Sequence, residues 1–117
     1  MSLNYKEFDP SELDFVGIAQ EDEVVNGERL FLEIDNFNIV VFNVAGKLFA
    51  IGDVCSHDDG PVGDGELEEH DVICPRHGAH FDLSSGKALT LPAVIDIPAY
   101  PIRIIKGQIE VGLPKDK

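Results

Sequence analysis

Residues 29–51, RLFLEIDNFNIVVFNVAGKLFAI, decide the fold class. Leu30, Leu32 and Ile34 alternate with Arg29, Phe31 and Glu33, close to the period-2 pattern of a half-buried strand. Asp35-Asn36 reads as a turn, Phe37 to Val44 as a long β run, Ala45-Gly46-Lys47 as a second turn and Leu48 to Ile51 as its partner strand. Upstream, Asp14 to Ala19 is short, apolar and β-prone, and Glu21, Asp22 and Glu23 form a solvated corner. Asn26-Gly27 is a hairpin signal between Val24-Val25 and the strand from Arg29, since both residues tolerate the positive φ of a type I′ turn. Downstream, Val72-Ile73 and Ala79 to Leu83 read as short strands, with Ser84 to Lys87 as the connection that follows. Ile102 to Ile105, a Lys106-Gly107 turn and Gln108 to Val111 read as a closing hairpin. No stretch fits helical periodicity beyond a turn, so the chain is expected to be all-β. Gly52, Gly60, Pro61, Gly63 and Gly65 sit among acids with almost no apolar pattern, and a long irregular loop inside a compact unit is usually functional.

With 117 residues the chain is expected to form one domain spanning 1–117. Its 44% of hydrophobic residues suffices for a core without disulfide staples. The net charge of −13, from 22 acids against 9 bases, makes nucleic acid and anionic membranes poor partners and a basic protein face a suitable one. Met1 to Pro10 holds Asn4, Lys6, Glu7 and Asp9 and no apolar run, and no segment approaches the roughly 20 apolar residues of a membrane span. A cytoplasmic protein without membrane contact is the expectation, and a monomer.

Two cysteines and four histidines are present, and each cysteine lies within three residues of a histidine: Cys55-Ser56-His57 and Cys74-Pro75-Arg76-His77, with sixteen residues between the pairs. Three other readings compete with a shared cofactor. Ordinary buried cysteines with histidines nearby by accident would make the pairing a coincidence. A disulfide is disfavoured in the cytosol and leaves the histidines unexplained. Two Cys and two His also make a tetrahedral zinc set, which would suit a zinc-binding interaction module, although zinc fingers usually pair like with like. Here each arm supplies one sulfur and one nitrogen. That suits a two-metal site in which each loop reaches both metals.

The two arms, C-x-H and C-x-x-H, resemble the motif of the Rieske family. The run Cys74 to Asp82 and Ser85-Gly86-Lys87-Ala88 agree with it, Leu91-Pro92-Ala93 resembles the family's proline loop, and Ile97 to Ile104 resembles the strand after it. The likeness spans Phe15 to Pro114. It implies a Rieske fold, an antiparallel β-sandwich or barrel-like base with a loop-rich cluster-binding subdomain at about residues 52–92. It further implies one [2Fe–2S] cluster, with Cys55 and Cys74 on the buried iron and His57 and His77 on the outer one. Two thiolates and two neutral imidazoles around a +2 core sum to zero charge, which raises the potential above that of plant-type ferredoxins.

Departures from the family's respiratory members narrow the reading. Those carry two further cysteines, and hydroxyl residues two and four positions after the second histidine; here these positions are Ala79 and Phe81. Without the two hydroxyl donors the potential is expected towards the low end of the Rieske range of about −150 to +300 mV. Seven acids between Asp58 and Ile73, with no Lys or Arg, read either as a solvated loop or as a docking surface for a basic partner. His80 reads as a surface residue or a neighbour of the ligands, His70 as solvated, and Arg76 as an offset to local negative charge or a contact for a partner's carboxylate. The resemblance is to the soluble ferredoxins of aromatic-ring dioxygenases. It implies a carrier of single electrons from a flavin-dependent NAD(P)H reductase to a terminal oxygenase, with no substrate chemistry of its own. A carrier for another redox system, nitrite-reductase-like or in iron–sulfur metabolism, is the alternative.

Overall fold

In the computed structural model, which describes residues 4–54, 60–75, 78–91 and 95–115, both turns inside residues 29–51 fold as read. Asp35 (φ 49°) with Asn36 (φ 71°), and Ala45 (φ 54°) with Gly46 (φ 87°), take the paired left-handed conformations of a two-residue hairpin turn. They connect β2 (Arg29–Ile34), β3 (Phe37–Val44) and β4 (Lys47–Gly52) in antiparallel register. The other strands are β1 (Leu13–Gln20), β5 (Leu67–Glu68), β6 (Asp71–Ile73), β7 (His80–Asp82), β8 (Ala99–Tyr100), β9 (Ile102–Ile105) and β10 (Gln108–Pro114). Three antiparallel sheets result, in the orders β1-β10-β9, β2-β3-β4-β8 and β5-β6-β7. The all-β expectation holds; among the described residues the helical turns are short 3-10 turns.

The run Ile39-Val40-Val41-Phe42 in β3 is apolar at every position because both faces of its sheet are covered, and all four side chains are fully buried. Val40 and Phe42, with Phe49 and Ile51 of β4, point into one core with Val62, Val72, Cys74, Phe81 and Leu83. Ile39, Val41 and Ala50 point into the other, with Tyr100, Val111 and Leu113. The central sheet is thus a wall between a base formed with β1 and β10 and the small sheet β5-β6-β7 that bears the second Cys/His arm.

Three local expectations need correction. Asn26-Gly27 turns the chain, but only Gly27 (φ 89°) has a positive φ, and the Glu28 N–H donates to the Val25 carbonyl at 2.9 Å. Val24-Val25 is no strand: the Asn26 side chain instead accepts from the Ala45 N–H at 2.8 Å, and Val24 is drawn into the interior. The segment Ile97 to Ile104 is not one strand. Pro101 lacks an N–H, and there the chain leaves β8 in the central sheet for β9 in the base. Ala79 to Leu83 shortens to β7, while β5 and β8 carry too few residues for a period to show.

Candidate metal centre

Cys74 follows β6 directly, and its place follows from strand alternation. Val72 and Cys74 alternate with Asp71 and Ile73, and Val72 pairs with Phe81 across the ladder. Beyond the Ile73–His80 pair the Cys74 N–H donates to the Ala79 carbonyl at 2.7 Å, and the Gly78 N–H donates to the Cys74 carbonyl at 2.9 Å. Gly78 closes this loop at φ 77°, a conformation that favours glycine. Val72, Cys74, Ala79 and Phe81 therefore share the inward face, each at most 1% exposed. A charged thiolate among such groups needs a metal to hold its charge, so the described part of the site suits a cluster ligand on its buried side. Ala79 and Phe81, the two positions expected to lack hydroxyls, lie next to it in the same apolar cluster. Cys55, His57 and His77 lie outside the described residues, as do Arg76, Asp58, Asp59 and the Pro92-Ala93 part of the segment that resembles the proline loop.

What the structure adds is how the chain around the first arm is pinned. Asp53, just before that arm, accepts through Oδ1 from the N–H groups of Val62 (3.0 Å) and Gly63 (2.6 Å), just after it. Arg29, from β2, donates through Nη1 to the carbonyls of Gly63 (2.6 Å) and Gly65 (2.7 Å), with its guanidinium over the Phe42 ring at 5.0 Å. A Cβ on Gly63 would stand 2.6 Å from the Phe31 ring, so the glycine permits the close approach. The segment after β7 is held in the same way. The Asp82 carboxylate accepts from the Ser84 and Ser85 hydroxyls (3.1 and 2.7 Å). Asp96 accepts from the Ala88 N–H at 2.9 Å, and the Leu89 N–H donates to the His80 carbonyl at 2.8 Å. Arg29, Asp53 and Asp96 escape a sequence reading because each acts on backbone eight or more positions away. Arg29→Met keeps an apolar stem over Phe42 and removes both bonds. It is expected to cost about 2 kcal/mol, as for charge-assisted hydrogen bonds. Thermal unfolding and the rate of visible bleaching, both against wild type, measure it.

His80 has Nδ1 at 3.5 Å from Asp71 Oδ2 and 3.9 Å from Glu68 Oε1, on the outer face of the small sheet. His70 is exposed, as expected, with its ring 5.7 Å from that of Phe49. Asp64, Glu66, Glu68 and Glu69 are exposed and Asp71 is half-buried. Among the described residues, no helix is long and apolar enough to cross a membrane.

Comparison with known proteins agrees with this geometry. Residues 14–101 match the model of the Rieske [2Fe-2S] domain. The chain is 39% identical over 94 residues to the 3-phenylpropionate/cinnamic acid dioxygenase ferredoxin subunit of Escherichia coli (strain K12), covering 80% of this chain and 88% of the relative. Its fold is similar to the ferredoxin of carbazole 1,9a-dioxygenase from Nocardioides aromaticivorans IC177, with TM-score 0.78, 26% identity and coverage of 86% of this chain and 98% of that one. It is also similar to the Sphingomonas yanoikuyae B1 ferredoxin, with TM-score 0.78, 28% identity and coverage of 86% and 100%.

Proposed function

The chain belongs to the Rieske [2Fe–2S] domain family, and from that premise we propose that Cys55 and Cys74 hold the inner iron and His57 and His77 the outer iron of a single-electron carrier. The carrier serves an aromatic-ring dioxygenase system. It receives electrons from a flavin-dependent NAD(P)H reductase and delivers them to a terminal oxygenase, as a cytoplasmic monomer. The observation that carries the reading is the 39% identity to a dioxygenase ferredoxin subunit across 88% of that subunit's length. The cluster, when bound, takes up and releases one electron. The chain's own residues set how easily. Buried Ala79 and Phe81 offer no hydroxyl donor to the added negative charge, and the exposed acids Asp64, Glu66, Glu68 and Glu69 oppose it weakly through solvent. Ring nitrogens of His57 and His77 would hold the outer iron, and the Cys74 thiolate would hold the inner iron with Val72, Ala79 and Phe81 excluding water beside it.

The purified protein is expected to contain iron and acid-labile sulfide in equal amounts, and to be reduced by NAD(P)H only when a flavoprotein reductase is added. A redox titration is expected to give a midpoint below zero, in the lower part of the range of about −150 to +300 mV. Iron-free protein would overturn the cofactor assignment. A midpoint clearly above zero would overturn the role given to Ala79 and Phe81.

A further inference from the structure

The register of the small sheet sets acids directly against one another. Glu68 of β5 pairs with Asp71 of β6, and Asp71 pairs in turn with Asp82 of β7. Cross-strand partners share a face, so the three carboxylates form a row over three strands, an arrangement that destabilises a sheet when the charges are alike. Asp82 is satisfied within its own turn, where it accepts from the Ser84 and Ser85 hydroxyls. Glu68 and Asp71 have no such donors, and among the described residues no Lys or Arg lies within ion-pair distance of either. The group that approaches both is the His80 ring.

His80 reaches this point from β7. Phe81 is buried towards Cys74, so strand alternation turns its neighbour His80 to the outer face, one diagonal step from Asp71. The backbone of His80 is held on both sides: its N–H donates to Thr90 Oγ1 at 2.9 Å, and its carbonyl accepts from the Leu89 N–H at 2.8 Å. Nδ1 stands 3.5 Å from Asp71 Oδ2 and 3.9 Å from Glu68 Oε1, and the ligand atoms of the three residues all lie within 4.8 Å of one another. Both approaches are long for a charge-assisted hydrogen bond, which brings nitrogen and oxygen to about 2.7–2.9 Å. Ligands bound at about 2.0–2.2 Å to a tetrahedral ion are instead roughly 3.3–3.6 Å apart. The Asp71–His80 distance already has that value, and the exposed Glu68 side chain reaches it by a small inward movement. An imidazole with two carboxylates suits zinc, whereas calcium and magnesium favour shells of six or more oxygens.

We propose that Glu68, Asp71 and His80 form a binding site for one divalent ion of the zinc class, with water completing its coordination. The site lies on the face of the small sheet opposite Cys74, so it is separate from the cluster ligands and does not depend on the electron-carrier reading. Tag-free, cluster-loaded protein titrated with Zn²⁺ by calorimetry, in buffer with excess Mg²⁺, is expected to bind one equivalent saturably. His80→Gln and Asp71→Asn are each expected to weaken this binding by about tenfold or more, the loss seen even for groups that merely orient a ligand. His70→Gln and Glu66→Gln remove a nearby imidazole and a nearby carboxylate, and both are expected to leave it unchanged. The visible spectrum, unaltered throughout, checks that fold and cluster are intact. Absence of saturable binding over Mg²⁺ would overturn the site and leave His80 as an ion-pair partner of the two acids. Loss of binding in His70→Gln but not in His80→Gln would overturn it equally. Bleaching of the cluster in step with zinc uptake would do the same, because the zinc would then occupy the cluster ligands.

Discussion

Cys74→Ser is expected to give a folded protein that purifies colourless, its iron and labile sulfide falling from a full cluster to background. The reason lies in position as much as in chemistry. Cys74 is 1% exposed on the inward face of the small sheet, with Ala79 opposite and Phe81 one step along the ladder. A serine oxygen there is a poor iron ligand, because iron–sulfur clusters select soft thiolates. Cys74→Ala removes the ligand atom outright and is expected to lose the cluster equally. Metal analysis, the visible spectrum and thermal unfolding measure the pair. Retention of the wild-type spectrum by either variant would remove Cys74 from the ligand set.

The legible part of this molecule was the part governed by short sequence separations. Hairpin turns at Asp35-Asn36, Ala45-Gly46 and Lys106-Gly107 each announce themselves in two residues, and each takes the positive φ its residues predict. The strands between them follow from alternation, and the Cys/His arms from spacing alone. Asn26-Gly27 misled because a turn dipeptide specifies a reversal and not what flanks it. Val24 was captured by the interior, and the Asn26 side chain by Ala45. The clasp of Arg29 on Gly63 and Gly65 spans 34 and 36 residues, so no local pattern encodes it; it exists because the central sheet brings β2 beside the end of the first arm's loop. The same distance dependence hid the division of labour in β3. A continuous apolar run says that a strand is buried on both faces, but not that one face belongs to the metal centre and the other to the base.

Gly65→Ala is expected to be a highly disruptive single methyl near the centre. A Cβ at this position would stand 1.8 Å from the carbonyl oxygen of Ile73 and 2.8 Å from its carbonyl carbon. Both are backbone atoms, so no rotamer change relieves the contact. The segment after the first arm must move away from β6, and Ile73 immediately precedes Cys74. Such a move also strains the Arg29 bond to the Gly65 carbonyl and the Gly65 N–H bond to Val62, at 2.7 and 3.0 Å. Overpacking against rigid backbone with loss of hydrogen bonds costs about 3 kcal/mol or more, a fall in Tm of about 10–20 °C for a domain of this size. Gly46→Ala is the control. Gly46 has φ 87° but nothing within 4 Å of an added Cβ, so it carries only the backbone penalty, about 1 kcal/mol. Gly65 has no positive φ, so its cost is steric alone. Thermal unfolding of the two variants, with iron content measured on each, decides the matter. Gly65→Ala is expected to unfold well below Gly46→Ala and to lose iron faster. If the order is reversed, close approach of the backbone at Gly65 does not hold the two arms together.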